Sequence, residues 1–301
     1  WPYGFPVVYW QDERAEAAVL DVLRRGSLFR YYGIGEPAYP AGCGKPCYVD
    51  RFEAQARRFY GVPHALAVNS GTGALITALR ALGIGPGAEV IVPAFLWVAS
   101  VGAVVQVGAI PVLCEVDDSF TMDPADLERK ITPRTRLILP IHMAGAPCDM
   151  ERIMRVAVVR GIPVLEDCAQ CNGGSVAGRR VGTWGDIGIF SLQLNKNMTS
   201  GEGGLLITRD PRLFERAFSA HDMGLIRVKG RLAVPEPHAI MWGGGRRMTE
   251  LCGAVAGVQL RKLPRIVSHM RASKQRLKAV LAGTPGLAFR RLHDEAGEIG
   301  R

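Results

Sequence analysis

The chain has 301 residues, of which 48% are hydrophobic and 22% are charged. This length and balance suit one large α/β domain with an appendage, or two modest domains, and they exclude a disulfide mini-domain and wholesale disorder. The 37 Lys and Arg residues outnumber the 28 Asp and Glu residues. The positive charges are scattered, however, and only 7% of residues are aromatic, so we expect no nucleic-acid partner.

Seven cysteines are an odd number and a low density for this length. That usage favours a reduced, cytoplasmic protein with buried free thiols. The pairs Cys43/Cys47 and Cys168/Cys171 would together offer four thiolates to zinc. The second pair follows an apolar run and lacks the residues of a zinc ribbon, so we predict no metal site.

Helical spacing runs from Glu13 to Arg25 and stops at Gly26, and a second helix is predicted from about Asp50 to Tyr60. Beyond residue 64, short apolar runs alternate with helical segments joined by short connections. Such alternation predicts βαβ units around a mainly parallel sheet. The predicted strands are Ala65–Val68, Val90–Val92, Val112–Val116, Leu137–Pro140, Pro163–Glu166, Ile187–Phe190 and Gly204–Thr208, and the long C-terminal helices are Met248–Leu263 and Ile266–Leu281.

The stretch from Val90 to Cys114 carries no charge and is long enough to span a bilayer. Pro93 and Pro111 divide it, so we predict a strand, a helix and a strand instead of a membrane span. The chain also does not open with the features of a secretory signal peptide.

A possible anion site lies at Ser70-Gly71-Thr72-Gly73, between a short strand and a helix without charge until Arg80. The free amides of a helix N-terminus bind anions, and glycine lets the backbone approach a phosphate closely. The spacing is neither that of a Walker loop nor that of the dinucleotide fingerprint. An ordinary N-capped helix is the alternative.

Two further residues have chemical potential. Asp167 ends a predicted parallel strand, at the sheet edge where ligands bind, although an acidic strand end can also cap a helix. Lys196 stands among uncharged residues, and desolvation there would lower its pKa and make its amine a nucleophile. A surface lysine with a solvated head is the alternative.

Together these residues match the needs of pyridoxal phosphate, which requires a lysine, an acid for the pyridine nitrogen, a phosphate cup and a flat group against the ring. Lys196, Asp167 and the residues from Ser70 to Thr72 provide the first three. Trp97 provides the fourth.

Five separated motifs strengthen this interpretation. In chain order they are Ser70-Gly71-Thr72, Val92-Pro93-Ala94-Phe95, Glu166-Asp167-Cys168-Ala169-Gln170, Gly185-Asp186 with Phe190-Ser191, and Lys196 followed by Gly201-Glu202-Gly203-Gly204. The arrangement resembles the sugar aminotransferases of the DegT/DnrJ/EryC1/StrS family over roughly residues 10 to 282. The resemblance implies an α/β fold of the fold-type I pyridoxal-phosphate-dependent transferases, with a mainly parallel central sheet and helices on both faces.

The resemblance also implies roles for single residues. Lys196 would form the Schiff base with the cofactor, and Asp167 would pair with its pyridinium nitrogen. Gln170 would lie beside the ring and Trp97 would stack on it.

The phosphate would be held by Gly71, Thr72 and Ser191. The family works as homodimers with active sites shared between subunits, and it moves an amino group from glutamate or glutamine to a keto-sugar or keto-cyclitol. The implied domains are residues 1–225, a large cofactor-binding domain with an N-terminal segment, and residues 226–301, a helical connection with part of a smaller C-terminal domain.

The chain departs from the family pattern in three places. Gln193 replaces a frequent histidine, as in the scyllo-inosose aminotransferases and the aminohydroxybenzoate synthases. Gly245 replaces an asparagine that reaches the neighbouring subunit's phosphate, and Arg246 is the candidate substitute. Most of the C-terminal small domain is absent, which leaves a partial sequence or a truncated, inactive relative as alternatives.

The predicted function is therefore a pyridoxal-phosphate-dependent aminotransferase in amino-sugar, aminocyclitol or antibiotic biosynthesis. Arg30 and Arg246 are candidates to recognise an acidic or phosphorylated substrate, with a solvated surface charge as the favoured alternative for Arg30. Three rival functions remain: an eliminating or aromatising synthase, a non-catalytic regulatory homologue, and a dehydrogenase. The dehydrogenase would leave Lys196 and the turn Gly201–Gly204 unexplained.

Overall fold

The computed structural model describes residues 12–31, 47–228 and 231–301. Cys43, one of the four cysteines considered for zinc, lies outside these residues. The chain divides into two compact units, each built from two separate segments of sequence. The first unit comprises Trp1–Ala81 and Ser191–Lys262, and the second comprises Leu82–Phe190 and Leu263–Arg301.

Helices and strands alternate through the middle of the described chain as predicted. The helices are α1 (Glu13–Arg25), α2 (Tyr48–Tyr60), α3 (Gly71–Ala81), α4 (Val98–Gln106), α5 (Pro124–Lys130), α6 (Met150–Arg160), α7 (Pro211–His221) and α8 (Glu250–Leu281). The strands are β1 (His64–Val68), β2 (Glu89–Pro93), β3 (Ile110–Cys114), β4 (Thr135–Ile138), β5 (Leu165–Asp167), β6 (Ser175–Val176), β7 (Arg179–Arg180), β8 (Ile187–Ser191), β9 (Gly204–Thr208), β10 (Ile226–Val228) and β11 (Arg231–Ala233).

The second unit is built on parallel strands. β2 pairs with β3 on one side and with β4 on the other, and β5 pairs with β8, all in parallel. Parallel bridges from Ile138 to Val164 and from Ile141 to Asp167 connect the two groups. Every residue of β2, β5 and β8 is buried, which explains their continuous apolar runs.

The first unit contains an antiparallel pair. β1 and β9 pair from His64 opposite Thr208 to Val68 opposite Gly204, so the mainly parallel pattern predicted from the sequence has an exception here. Gly204 has a packing reason to be glycine, because a Cβ there would lie 2.2 Å from the carbonyl oxygen of Ser70. The end of β9 therefore lies directly against the turn that precedes α3.

Helix α1 contributes a small apolar cluster to the first unit. Its residues Ala15, Ala18 and Val22 recur at helical spacing and pack with Ala254 and Val258 of α8. Asp12 caps the helix through the amides of Arg14 and Ala15, and Gly26 ends it in the left-handed conformation. Gly26 is the stop that the sequence predicted, whereas the cap at Asp12 is seen only in the structure.

The two predicted C-terminal helices are one helix, which corrects the expectation of a break between Leu263 and Ile266. α8 runs through Pro264. Proline removes one backbone hydrogen bond and favours a kink, but the burial of neighbouring apolar residues outweighs that cost here. Leu263 and Val267 on either side of it are 0% and 5% exposed.

The uncharged stretch near residue 100 folds as predicted, into β2, α4 and β3. Among the described helices, none combines the length and the apolar character needed to cross a membrane. The predicted domain boundary near residue 225 stays a prediction.

Candidate functional site

The turn before α3 caps the helix through Ser70. The amide of Gly73 donates to Oγ of Ser70 at 2.9 Å, and the amide of Ala74 donates to the Ser70 carbonyl at 2.9 Å. The amides of Gly71 and Thr72 precede the first intrahelical bond, so they are the donors that a helix N-terminus offers to an anion. The two interpretations left open by the sequence are therefore compatible.

Ser191, at the end of β8, lies against this turn within the first unit. A Cβ on Gly71 would be 2.7 Å from Cβ of Ser191 and 2.9 Å from its Oγ. Only a glycine permits this approach, which places the Ser191 hydroxyl beside the start of α3. Ser191 is 5% exposed, so an anion bound there would be largely removed from water.

Lys196 lies in a turn that is held together by hydrogen bonds of the backbone. Its amide donates to the Gln193 carbonyl at 2.9 Å, and the amide of Asn195 donates to Oε1 of Gln193 at 2.8 Å. Farther out, the amide of Leu192 donates to the Gly203 carbonyl at 2.9 Å. Gln193, the residue that departs from the family pattern, therefore shapes the turn that carries the lysine.

Asp167 occupies the carboxyl end of β5 in the second unit and is 3% exposed. Its Oδ2 accepts a hydrogen bond from Oγ of Ser100 at 2.7 Å, and its Oδ1 accepts one from the amide of Ala169 at 3.0 Å. The two donors fix the direction of the carboxyl group. Sequence reasoning missed Ser100; its only signal was a hydroxyl three residues after Trp97 in an otherwise apolar stretch.

Trp97 and Gln170 belong to the same unit as Asp167. Trp97 precedes α4 and is 62% exposed, and its carbonyl accepts a hydrogen bond from the amide of Ser100 at 3.0 Å. Ser100 therefore bonds to both residues, through its amide to Trp97 and through its hydroxyl to Asp167. Oε1 of Gln170 accepts a hydrogen bond from the amide of Ala144 at 3.0 Å, which fixes the orientation of its side-chain amide.

A buried network lies next to Asp167 in the chain. His142, Glu166 and Cys168 present possible metal-ligand atoms within 4.8 Å of one another. The Glu166 oxygens accept from the amides of Gly182, Trp184 and Gly185 at 2.7 to 2.8 Å. Nδ1 of His142 accepts from the amide of Cys148 at 3.0 Å, so the proton is on Nε2, which faces Glu166 at 3.2 Å. These bonds fix the positions of the His142 and Glu166 side chains.

The two candidate arginines are in different environments. Arg30 is 5% exposed and pairs with Glu53 at 2.6 Å and with Asp50 at 2.6 Å. The favoured interpretation of Arg30 as a solvated surface charge is therefore wrong, because folding buries it against two carboxylates. Arg246 is half-buried, and its carbonyl accepts a hydrogen bond from the amide of Asn69 at 2.9 Å. It is thus next to the turn that begins α3.

Comparison with known proteins gives concordant results. The sequence model of the DegT/DnrJ/EryC1/StrS aminotransferase family matches residues 45–299. The chain is 36% identical over 239 residues to the GDP-perosamine synthase of Vibrio cholerae, covering 79% of this chain and 64% of that protein. It is also 36% identical over 275 residues to the L-glutamine:2-deoxy-scyllo-inosose aminotransferase of Micromonospora echinospora, covering 85% of this chain and 64% of that protein.

Among solved structures, 3-amino-5-hydroxybenzoic acid (AHBA) synthase superposes with a TM-score of 0.80 at 33% identity, covering 93% of this chain and 69% of that one. The predicted fold-type I α/β architecture is therefore confirmed. The chain spans just under two thirds of the length of the two curated relatives. On the extent of these matches, the chain belongs to the DegT/DnrJ/EryC1/StrS aminotransferase family.

Proposed function

We propose that this protein is a pyridoxal-phosphate-dependent aminotransferase that moves an amino group from glutamate or glutamine to a keto-sugar or keto-cyclitol. The observation that carries the proposal is the buried Asp167 carboxylate, which Ser100 and Ala169 hold by hydrogen bonds. A carboxyl group held in a fixed direction by such hydrogen bonds is the partner that a protonated pyridine nitrogen needs.

The reaction chemistry is divided between two side chains. When bound, pyridoxal phosphate supplies an electron sink for the carbanion that forms at the amino donor. The Lys196 amine would hold the cofactor and would serve as the base that takes the proton from the donor's Cα. Asp167 would hold a proton on the pyridine nitrogen of the bound cofactor.

The remaining site residues bind and orient. The amides of Gly71 and Thr72 and the Ser191 hydroxyl would bind the phosphate, since the close approach of Gly71 to Ser191 brings these donors together. Ser70 would support them as the helix cap. Trp97 would cover one face of the ring with its exposed indole.

The substrate class rests on the relatives. One is named for L-glutamine and 2-deoxy-scyllo-inosose, a cyclic ketone, and the other for the amino sugar of GDP-perosamine. We propose an acceptor of the same chemistry, a ring ketone with neighbouring hydroxyl groups, for this protein.

Absorption spectroscopy with a single substitution tests the proposal. Purified protein given pyridoxal phosphate should develop a visible absorption band, borohydride should fix the cofactor to residue 196, and Lys196→Ala should abolish the band. Lys262→Ala is the matched control, because that lysine pairs with Asp12 at 2.9 Å. A band that survives Lys196→Ala would refute the role of the lysine, and wild-type protein without a band would favour a non-catalytic homologue.

A second candidate function is an eliminating or aromatising synthase, which the similarity to AHBA synthase favours. The two reactions differ in their need for an amino donor. Product analysis with an amino-substituted keto-cyclitol, with and without glutamine, separates them: transfer requires the added donor, whereas elimination of water uses the substrate's own amine to join the cofactor and proceeds without glutamine.

We also propose a homodimer in which Arg246 serves the partner's phosphate site. Mixing Lys196→Ala and Arg246→Ala subunits tests this arrangement, because a heterodimer then contains one intact site and regains activity. If Arg246 serves its own subunit, both sites of the heterodimer are damaged and the mixture stays inactive.

A further inference from the structure

Arg290, in the C-terminal segment of the second unit, is hydrogen-bonded to the loop that follows β4. Nη1 of Arg290 donates to the Met143 carbonyl at 3.0 Å, and Nη2 donates to the Ala144 carbonyl at 2.7 Å. A guanidinium presents its donors as a rigid fork, so two adjacent carbonyls suit it better than they suit a lysine. Arg290 is half-buried.

The loop has a conformation that depends on such contacts. Ala144 has φ of 49°, in the left-handed region, and Gly145 follows with φ of 79°. An alanine disfavours this region because its Cβ crowds the backbone, so surrounding bonds must hold it there. The amide of Ile299 adds one such bond, to the Gly145 carbonyl at 3.0 Å.

The amide of Ala144, turned by this conformation, donates to Oε1 of Gln170. That bond assigns the oxygen end of the Gln170 side chain to the loop and leaves its Nε2 group as the end that can donate elsewhere. Without the bond, the side-chain amide could rotate and present either end.

We propose that Arg290 is a positioning residue for Gln170: it fixes the two carbonyls of the loop, the loop directs the Ala144 amide, and that amide orients Gln170 as a hydrogen-bond donor to the cofactor. The inference rests on the proposed function, which places Gln170 beside the pyridoxal ring. Arg290 itself touches no reacting atom.

The adjacent arginine provides a matched control. Arg291 belongs to the same segment but pairs with Asp117 and Asp118, at 2.6 Å each, and none of its described bonds reaches the loop. Arg291→Ala therefore removes a side chain of the same type from the same segment but leaves the contact to the loop in place.

The first measurement needs no cofactor. Hydrogen exchange of the Ala144 amide in the cofactor-free, full-length protein should accelerate in Arg290→Ala and stay at the wild-type rate in Arg291→Ala. Arg290→Lys, which can bond only one of the two carbonyls well, should be intermediate. Equal exchange in Arg290→Ala and Arg291→Ala would overturn the proposal whether or not the protein binds pyridoxal phosphate.

The second measurement uses the cofactor without substrates. Arg290→Ala should weaken the binding of pyridoxal phosphate about tenfold, the scale of a lost hydrogen bond to a charged group. It should also shift the absorption maximum of the bound cofactor. Arg291→Ala should do neither. In a Gln170→Ala background, Arg290→Ala should have no further effect on affinity or spectrum, because the residue it positions is gone.

An additive loss in the double variant would show a general structural role and overturn the positioning role. Failure of the proposed function has a different signature: the wild type and Arg291→Ala would then bind no cofactor, while the exchange difference at Ala144 would persist.

Discussion

At the scale of single residues, Asp167 depends on a serine that no sequence motif marks. Ser100 is 1% exposed, and its hydroxyl is 2.7 Å from Oδ2 of the carboxylate. The bond fixes the direction of the carboxyl group. Its partner on Oδ1 is a backbone amide and survives any substitution of Ser100.

Ser100→Ala should therefore lower the affinity for pyridoxal phosphate. It should also lower the free energy of unfolding by about 1.5 to 3 kcal/mol, as expected for the loss of a hydrogen bond to a charged group. Cofactor titration and urea unfolding measure the two effects. Ser219→Ala is the matched control: Ser219 is 0% exposed, and its Oγ has no hydrogen-bond partner among the described residues. Equal effects of the two substitutions would contradict the role of Ser100.

At the scale of secondary-structure elements, the position of the start of α3 depends on glycine as its first residue, Gly71. Gly71→Ala would place a Cβ 2.7 Å from Cβ of Ser191, so the helix must move away from that serine. We expect weaker cofactor binding and a free energy of unfolding that is lower by about 1 to 3 kcal/mol, the range for overpacking. Binding titration and unfolding check both.

Gly102→Ala in α4 is the control for this substitution, because a Cβ there would meet no atom within 4 Å. Alanine in a helix interior is favoured over glycine by about 0.5 to 1 kcal/mol, so this variant should be more stable than the wild type. A stabilised Gly71→Ala with unchanged cofactor affinity would contradict the close approach.

Helix α7 ends at His221, which folding keeps neutral. Its Nδ1 donates to the Phe218 carbonyl, and its Nε2 accepts from the Tyr31 hydroxyl at 3.0 Å. Burial, with help from the Arg30 charge, lowers the pKa of His221 from 6.5 to about 3. The unfolded chain therefore binds a proton between these values that the folded chain does not, and stability falls as the pH is lowered from 6.5 toward 3.

From pH 7 to pH 5 the loss due to His221 should be about 2 kcal/mol, at about 1.4 kcal/mol for each pH unit below 6.5. Urea unfolding of wild type and His221→Gln at both pH values isolates this contribution, since the variant keeps polar atoms but cannot titrate. A pH dependence that is the same in both proteins would contradict the buried, neutral histidine.

At the scale of the whole molecule, cofactor binding should appear as stability. A ligand that binds only the folded state at one hundred times its dissociation constant adds about 2.7 kcal/mol to the free energy of unfolding. Pyridoxal phosphate should therefore raise the urea midpoint of the wild type. Pyridoxal at the same concentration should raise it less, because it cannot use the amides of Gly71 and Thr72. Equal shifts from both compounds would contradict the proposed phosphate site.

Much of the fold was accessible from local patterns. The periodicity of apolar residues, the helix stop at Gly26 and the order of five motifs indicated the alternating elements and the family. These signals are local, because a residue's spacing from its neighbours decides which face of an element it occupies. The continuous helix through Pro264 was missed because burial of its neighbours, which the local pattern does not encode, outweighed the proline.

Only the tertiary structure decided which partners the polar side chains find. Ser100 and Asp167 are 67 positions apart, Arg290 and Ala144 are 146 apart, and Arg30 and Glu53 are 23 apart. Hydrogen bonds and ion pairs form where packing brings atoms within about 3 Å, and no periodicity in the sequence records those distances. The sequence by itself determined the motifs and most of the helices and strands between them, and the packing of those elements determined how Asp167 and Gln170 are held.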